Sequence, residues 1–121
     1  MAKKILIVED EKALANVLKL KLQSAGYDTE VLYNGDDALS ALKGGGYDLA
    51  LVDIMMPKRD GFSVLEELKK TGNKTPVFVM SNLGQGEDIA RVKSLGVKNY
   101  IVKADTSPAE ILKSITTFLE K

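Results

Sequence analysis

Short aliphatic runs alternate strictly with amphipathic segments along this chain, and this alternation constrains the fold more than any other feature. The runs cover residues 5–8, 29–33, 49–53, 77–80 and 100–102. Four of them are apolar on both faces, as expected of parallel strands that helices cover on each side. The run at 29–33 mixes in polar residues, which predicts a strand at an edge. Strand–helix alternation of this kind predicts an open parallel α/β sheet.

The amphipathic segments carry apolar residues at helical spacing and end or begin at characteristic residues. Gly26 and Gly96 follow two of these segments, where glycine commonly ends a helix. Asp60 precedes a third segment and is a candidate N-cap. The last segment opens with "SPAE", in which Ser107 and Glu110 have the spacing of a capping box. The pattern therefore predicts five helices between and after the strands.

Composition favours one globular domain over residues 1–121. A chain of this length buries roughly two-thirds of the surface that its unfolded form exposes. Hydrophobic residues make up 45% of the chain and charged residues 28%, which is not the composition of a disordered segment. The sequence contains no linker, repeat or composition break, so we expect a single domain with no output domain.

Charge and residue usage exclude several classes of function. Basic and acidic residues both number 17, so the basic excess typical of nucleic-acid-binding proteins is absent and we expect no direct nucleic-acid partner. The chain has no cysteine and no histidine, which removes disulfides, thiolate metal sites, the usual zinc ligand and the commonest general base. The apolar run at 5–8 is too short for a signal peptide or a membrane span. We expect a cytoplasmic protein without a membrane partner.

Chemically active residue types follow the strands at their carboxyl ends. Glu9 and Asp10 follow the first strand, Asp53 ends the third, Ser81 follows the fourth and Lys103 follows the fifth. In doubly wound sheets the functional crevice lies beyond this edge, where the strand order reverses. We therefore expect three acids, a hydroxyl and an amine to converge there.

Each of these residues also has a simpler interpretation. Glu9, Asp10 and Glu11 could cap the first helix, whose dipole favours acids at its start. Ser81 taken alone is more often a turn hydroxyl, and a lone lysine is more often solvated. A carboxylate that continues an apolar strand, as Asp53 does, would be destabilising without a partner. Only the joint placement at strand ends is left unexplained by these simpler interpretations.

A charge argument connects the clustered residues to phosphoryl transfer. Carboxylates within a few ångström repel one another, and an all-oxygen site of this kind suits Mg²⁺. An ammonium and a hydroxyl beside the cation would stabilise a phosphoryl group that is transferred to a carboxylate nucleophile.

The whole chain resembles a response-regulator receiver domain (CheY-like). The matching residues are "VED" at 8–10, "LVDIMMPKRDG" at 51–61, "MSN" at 80–82 and "YIVKA" at 100–104. The resemblance implies the flavodoxin-like, doubly wound five-stranded parallel sheet of strand order 2-1-3-4-5, with five helices.

The resemblance also implies roles for individual residues. Asp53 would be the phosphoacceptor, with Ser81 and Lys103 contacting the phosphoryl oxygens. Mg²⁺ would be held by Asp10, by Glu9 acting through water, by Asp53 and by the backbone carbonyl of Met55. Tyr100 would be the aromatic switch residue.

As a function, the resemblance implies a two-component signalling switch that catalyses only its own phosphoryl transfer and slow dephosphorylation. A histidine kinase or histidine phosphotransfer protein would supply the phosphoryl group. Phosphorylation would draw Ser81 inward, let Tyr100 turn, and change the face formed by residues 87–119. That face would bind a downstream effector or a second copy of the chain.

Two departures from the family pattern have structural consequences. Arg59 stands in the loop before Asp60, where we expect it to be exposed and harmless. Ala104 follows Lys103, where the family usually has a proline in a cis bond. Because a non-proline cis bond costs about 2.5–4 kcal/mol, we expect the Lys103–Ala104 bond to be trans.

Three other functions compete with a phosphorylated receiver. A haloacid-dehalogenase-type phosphatase needs a second acid two residues past its nucleophile, and that position is Met55. A nucleotide-binding module needs a phosphate loop, but "GQG" at 84–86 and "GNKT" at 72–75 complete no such motif. A degenerate receiver could serve as an unphosphorylated docking module, although every chemical position is filled.

Overall fold

The described residues form five strands, five α-helices and one short 3₁₀ helix. The computed structural model describes residues 2–55, 60–81 and 86–120, with the backbone alone for 86–88. The strands are β1 (Lys4–Val8), β2 (Asp28–Leu32), β3 (Leu49–Asp53), β4 (Val77–Ser81) and β5 (Asn99–Val102). The helices are α1 (Lys12–Ser24), α2 (Gly35–Gly44), α3 (Gly61–Lys70), α4 (Gly86–Ser94) and α5 (Pro108–Leu119), with the 3₁₀ helix at Lys103–Asp105.

The strands form a single sheet of order β2-β1-β3-β4-β5, and all neighbouring pairs are parallel. This order and the five helices confirm the predicted doubly wound fold. The chain crosses from β2 past β1 to β3, so the strand order reverses beside β1. In the register of the sheet Val8 lies opposite Val52, and Asp53 lies opposite Met80. The carboxyl ends of β1, β3 and β4 therefore meet at one edge.

Apolar side chains cover both faces of the sheet, which explains why the central strands are continuous aliphatic runs. On one face, Leu6, Val8 and Val52 pack with residues of α2 and α3. On the other face, Ile5 and Ile7 pack with residues of α1 and α5. Burial of each Leu, Ile or Val side chain contributes roughly 1.5–3 kcal/mol, so this two-sided core holds the strand ends in place.

The two edge strands differ from the centre. No residue of β2 is fully buried, which confirms the edge position predicted from its polar content. The prediction for the fifth strand was less accurate. Its run is apolar, which suggested cover on both faces, yet β5 is the other edge strand and only Ile101 is fully buried. Strand β5 is half-exposed because it lies at an edge of the sheet. Its amino-acid composition does not reveal that position.

Side-chain hydrogen bonds cap three of the described helices, and two of these caps were predicted. Asp60 accepts a hydrogen bond from the Ser63 amide, and Ser107 and Glu110 form the complete capping box. Asn34 caps α2 through the Asp37 amide, a cap that the sequence analysis did not identify. Helix α1 differs. Glu11 stands at its N-cap without a side-chain cap bond, and no acid lies in its first turn. Glu11 therefore does not cap α1 with its side chain, although Glu9 Oε2 accepts a hydrogen bond from the Glu11 amide over 3.5 Å.

Two further expectations concern the backbone and the membrane. The described residues contain no cis peptide bond, so the Lys103–Ala104 bond is trans as predicted. Across the described chain, every helix is too short or too polar to cross a membrane. Residues 56–59, which include Arg59, and residues 82–85, which follow Ser81, lie outside the described residues.

Candidate functional site

The residues predicted to converge do so at the carboxyl edge of the sheet. Glu9 follows β1 directly, Asp53 is the last residue of β3 and Ser81 is the last residue of β4. All three are buried, although each is polar or charged. Ser81 pairs in register with Val102, which places Lys103 one residue beyond the sheet. Two-sided packing of the strands thus carries polar groups into a site that solvent barely reaches.

The ammonium group of Lys103 stands at the centre of the site. Its Nζ atom lies 2.7 Å from Glu9 Oε1, 2.8 Å from Glu11 Oε2 and 3.0 Å from Asp53 Oδ2. The lysine comes from the end of β5, whereas its partners come from the ends of β1 and β3. One cation from the end of β5 therefore joins the ends of β1 and β3, whose carboxylates would otherwise repel one another.

This arrangement shifts the pKa values of two groups. Burial raises the pKa of Glu9 to about 8, and the neighbouring Asp53 carboxylate adds to the rise while Lys103 opposes it. Burial works against the charged form of Lys103, but contacts with Glu11, Glu9 and Asp53 outweigh it and raise the pKa of that ammonium. Lys103 therefore stays protonated, and one positive charge does not fully compensate the acids around it.

The backbone after β3 folds back over Asp53. The Met55 amide donates to Asp53 Oδ1 over 3.0 Å, and the Gly61 amide donates to the Ile54 carbonyl over 2.9 Å. A Cβ atom on Gly61 would lie 2.7 Å from Ile54 Cα and 3.0 Å from the Asp53 carbonyl oxygen. Only glycine allows this approach of α3 to the strand end. Both carboxylate oxygens of Asp53 thus have fixed hydrogen-bond donors.

Three carboxylates at this edge could hold a cation. One oxygen each from Glu9, Asp10 and Asp53 lies within 4.8 Å of the other two. Glu9 Oε1 is buried and makes no hydrogen bond, despite its short distance from Lys103 Nζ. Asp10 is exposed, so the group opens to solvent on one side. An all-oxygen donor set with surplus negative charge and a solvent-facing side fits a hard divalent cation such as Mg²⁺.

The positions of Met55 and Tyr100 say less about their predicted roles. Met55 lies two residues after the end of β3 and is largely exposed, so its carbonyl lies in the right part of the chain for the predicted ligand. Tyr100 is half-buried on β5 and packs against the core cluster that contains Val79 and Val92. It lines a cavity of about 410 Å³ together with Ile89 and Val97 of the predicted partner face.

Glu11 is the site residue whose role the sequence analysis missed. The acidic run suggested a cap for α1, yet its carboxylate contacts Lys103, which lies 92 positions away. One signal was available in the sequence. Glutamate is not among the residues that favour an N-cap, so a third acid directly after the predicted metal-binding pair pointed to a partner elsewhere.

Comparisons with known proteins match the chain to one family. The response regulator receiver domain family matches residues 5–116. The chain is 39% identical to the transcriptional regulatory protein DltR of Streptococcus agalactiae over 100 residues, which cover 83% of this chain and 45% of that protein. It is 32% identical to the regulatory protein VanRc of Enterococcus gallinarum, covering 100% of this chain and 52% of that one. The chain thus spans about half the length of these curated relatives.

Among solved structures, the chain resembles the Francisella response regulator 1452 receiver domain. The TM-score is 0.87 at 34% identity, with 95% of this chain and 94% of that chain covered.

Proposed function

The chain belongs to the response regulator receiver domains of two-component systems, and we propose that it accepts a phosphoryl group on Asp53. The observation that supports this best is the position of Asp53. Its buried carboxylate contacts the Lys103 ammonium and lies within 4.8 Å of two further acids at the end of a central strand. We likewise propose that residues 1–121 act as one receiver domain, because both core clusters pack on one sheet.

In the proposed reaction an Asp53 oxygen attacks the phosphorus of the donor. A bond forms between phosphorus and that oxygen, while the bond to the donor's leaving group breaks and the leaving group keeps the electron pair. Lys103 retains its protons and stabilises the charge on the phosphoryl oxygens. Ser81, from the neighbouring strand end, would donate a hydrogen bond to the same group. Because these 121 residues contain no histidine, a phosphohistidine donor would have to lie outside them.

Glu9, Asp10, Asp53 and the Met55 carbonyl would hold Mg²⁺. When bound, the cation would neutralise negative charge on both the acids and the incoming phosphoryl group. The fit rests on the grouped carboxylates and on the buried Glu9 oxygen that lacks a hydrogen bond. Lys103 alone leaves the site short of positive charge, which is a reason to expect phosphorylation to depend on the metal.

Intact mass spectrometry after incubation with acetyl phosphate and Mg²⁺ tests this proposal. We expect one added phosphoryl group on the wild-type protein and none on the Asp53→Asn variant. Asp28→Asn is a matched control, because Asp28 is exposed at the opposite edge of the sheet. A chelator should stop the reaction. Phosphorylation of the Asp53→Asn variant would place the acceptor elsewhere and overturn the assignment.

For the output of the switch, we propose that phosphorylation changes the face formed by residues 87–119. A hydrogen bond from Ser81 to the charged phosphoryl group is worth about 1.5–3 kcal/mol, enough to shift a two-state equilibrium by one to two orders of magnitude. Tyr100 would then turn inward and alter the cavity that it lines with Ile89 and Val97. An effector protein or a second copy of the chain would bind the altered face.

Amide chemical shifts with and without beryllofluoride, a phosphoryl mimic, test this output. Shift changes should extend from the surroundings of Asp53 to residues 87–103. Changes confined to residues that touch Asp53 would leave the phosphoacceptor assignment intact but contradict the proposed output face.

A further inference from the structure

Carboxyl groups crowd the Lys103 ammonium in the unphosphorylated site, and this raises a question for the proposed function, on which the present inference rests. An ammonium group carries three protons. Carboxyl oxygens of Glu9, Glu11 and Asp53 all lie within 3.0 Å of Nζ, and those of Glu11 and Asp53 accept hydrogen bonds from it. A phosphoryl oxygen that approaches Lys103 must therefore compete with these groups for its protons.

The three carboxylates differ in how easily they can leave. The Glu9 side chain is fully buried and the Asp53 side chain is 3% exposed, whereas the Glu11 side chain is 63% exposed. A buried carboxylate that loses its cation stays desolvated and uncompensated, but an exposed one is rehydrated at once. Glu11 is therefore the partner that Lys103 can exchange at the smallest cost.

Glu11 also has no competing role in the helix that it precedes. It occupies the N-cap of α1 with extended backbone angles (φ −77°, ψ 102°), yet its side chain makes no cap bond. The side chain instead reaches Lys103, at the far end of the sequence. The other three α-helices whose N-caps are described use the cap side chain, at Asn34, Asp60 and Ser107.

We infer that Glu11 is a positioning residue that holds Lys103 in the resting state and is displaced when a phosphoryl group arrives on Asp53. Glu11 takes no part in bond making or breaking, and no proton moves to or from it. Release of its contact with Lys103 frees a proton of the ammonium group for the phosphoryl oxygens. Glu11 thereby slows phosphorylation and adjusts how strongly the site holds a phosphoryl group.

Three variants separate this contact from a simple effect of charge. Glu11→Gln removes the charge and weakens the contact. Glu11→Asp keeps the charge but shortens the side chain, so it cannot reach Lys103 as Glu11 does. Asp105→Asn removes a charge from an exposed residue two positions after Lys103 and leaves the Glu11 contact intact.

The measurements are the rate of phosphorylation by acetyl phosphate and the NMR signal of the Lys103 Nζ group. We expect both Glu11 variants to react about 1.5- to 5-fold faster than wild type, the range that corresponds to an exposed ion pair. The Nζ signal of the resting protein should shift in both Glu11 variants and move less than in wild type when beryllofluoride is added. Asp105→Asn should leave the Nζ signal unchanged.

The outcomes distinguish this inference from the function on which it rests. If Glu11→Asp behaves as wild type, or if Asp105→Asn accelerates the reaction as much as Glu11→Gln, charge alone accounts for the effect and the inference is wrong. An unchanged Nζ signal in both Glu11 variants would also overturn it. If the wild-type protein accepts neither a phosphoryl group nor beryllofluoride, the proposed function itself fails, and the inference fails with it.

Discussion

The first and the last helix of this protein both begin beside acidic residues, but they use those residues differently. At the start of α5, Glu110 accepts a hydrogen bond from the Ser107 amide while Ser107 caps the Glu110 amide. At the start of α1, the side chains of Glu9 and Glu11 contact Lys103, and Glu11 makes no cap bond. Similar acidic side chains thus stabilise the helix at one end of the chain and form a charged site at the other.

The difference identifies the start of α1 as a place where acidic residues form the candidate site and do not stabilise the helix. A side-chain cap typically contributes about 1 kcal/mol, and α1 goes without one. Burial of Glu9 next to Asp53 adds an unfavourable charge interaction that Lys103 only partly offsets. Local stability rules are commonly broken at functional sites and followed elsewhere. The start of α1 breaks them, whereas the start of α5 follows them.

The largest expected effect concerns Mg²⁺ and the acids before α1. Mg²⁺ at about a hundred times its dissociation constant should stabilise the wild-type protein by about 2.7 kcal/mol. Asp10→Ala should remove most of this gain, because it deletes one of three grouped carboxylates. The metal-free variant should be at least as stable as wild type, since a repelling charge is gone. Urea unfolding with Mg²⁺ or with a chelator measures both quantities.

Asp28→Ala serves as the matched control for that experiment, since Asp28 is an exposed aspartate at the opposite edge of the sheet. An equal Mg²⁺ response in the Asp10→Ala variant and the control would contradict the metal site. It would also mean that the acids before α1 have no metal-binding role, and the functional difference between the starts of α1 and α5 would disappear.

The start of α3, at Gly61, combines both features, because this helix is capped by a side chain and also packs against the site. An added Cβ at this position would meet Ile54 Cα at 2.7 Å and the Asp53 carbonyl oxygen at 3.0 Å, and both of these atoms belong to backbone that cannot easily move. Gly61→Ala should therefore destabilise the protein by about 1–3 kcal/mol. Gly44→Ala, at the end of α2, meets nothing within 4 Å and should be neutral or stabilising. Thermal or urea unfolding of the two variants compares them directly, and equal stabilities would show that α3 can shift away from Asp53.

The sequence predicted the fold well because hydrophobic periodicity records which faces are buried. Continuous aliphatic runs identified β1, β3 and β4, whose side chains are covered on both faces. The same signal placed Glu9, Asp53 and Ser81 at one edge, because parallel strands end together. The roles of these residues in phosphoryl transfer remain predictions.

Contacts that depend on tertiary geometry were beyond the reach of local patterns. The Glu11–Lys103 contact joins residues 92 positions apart, and no periodicity records it. The apolar run of β5 gave no sign that this strand lies at an edge, because strand order rather than composition decides exposure there. Caps were predictable at Asp60 and Ser107, where each cap and its amide are three residues apart.

A smaller effect should separate the two helix starts themselves. Ser107→Ala removes the cap of α5 and should lower the free energy of unfolding by about 0.5–2 kcal/mol. Glu11→Ala removes no cap, and its lost ion pair with Lys103 is offset by reduced repulsion from Glu9 and Asp53. We expect that change to lie within about 0.5 kcal/mol of wild type in metal-free buffer. Urea unfolding should resolve the difference, and a larger loss for Glu11→Ala would mean that α1 depends on its acids for stability.

The smallest expected effect is the pH dependence of the α5 capping box. The hydrogen bond from the Ser107 backbone, followed by that from its side chain, lowers the pKa of Glu110 below its ordinary value of 4.5. A lowered pKa in the folded state contributes stability that is present above the unfolded pKa and is lost as pH falls through the folded pKa. Glu110→Gln keeps a side-chain oxygen for the Ser107 amide but cannot ionise. Wild type should therefore be slightly more stable than Glu110→Gln at pH 7, and the difference should vanish as the pH falls well below 4.5. Urea unfolding of both proteins across this range measures the difference while other acid-sensitive groups cancel. A difference that stays constant with pH would show that the Glu110 charge contributes nothing to the start of α5.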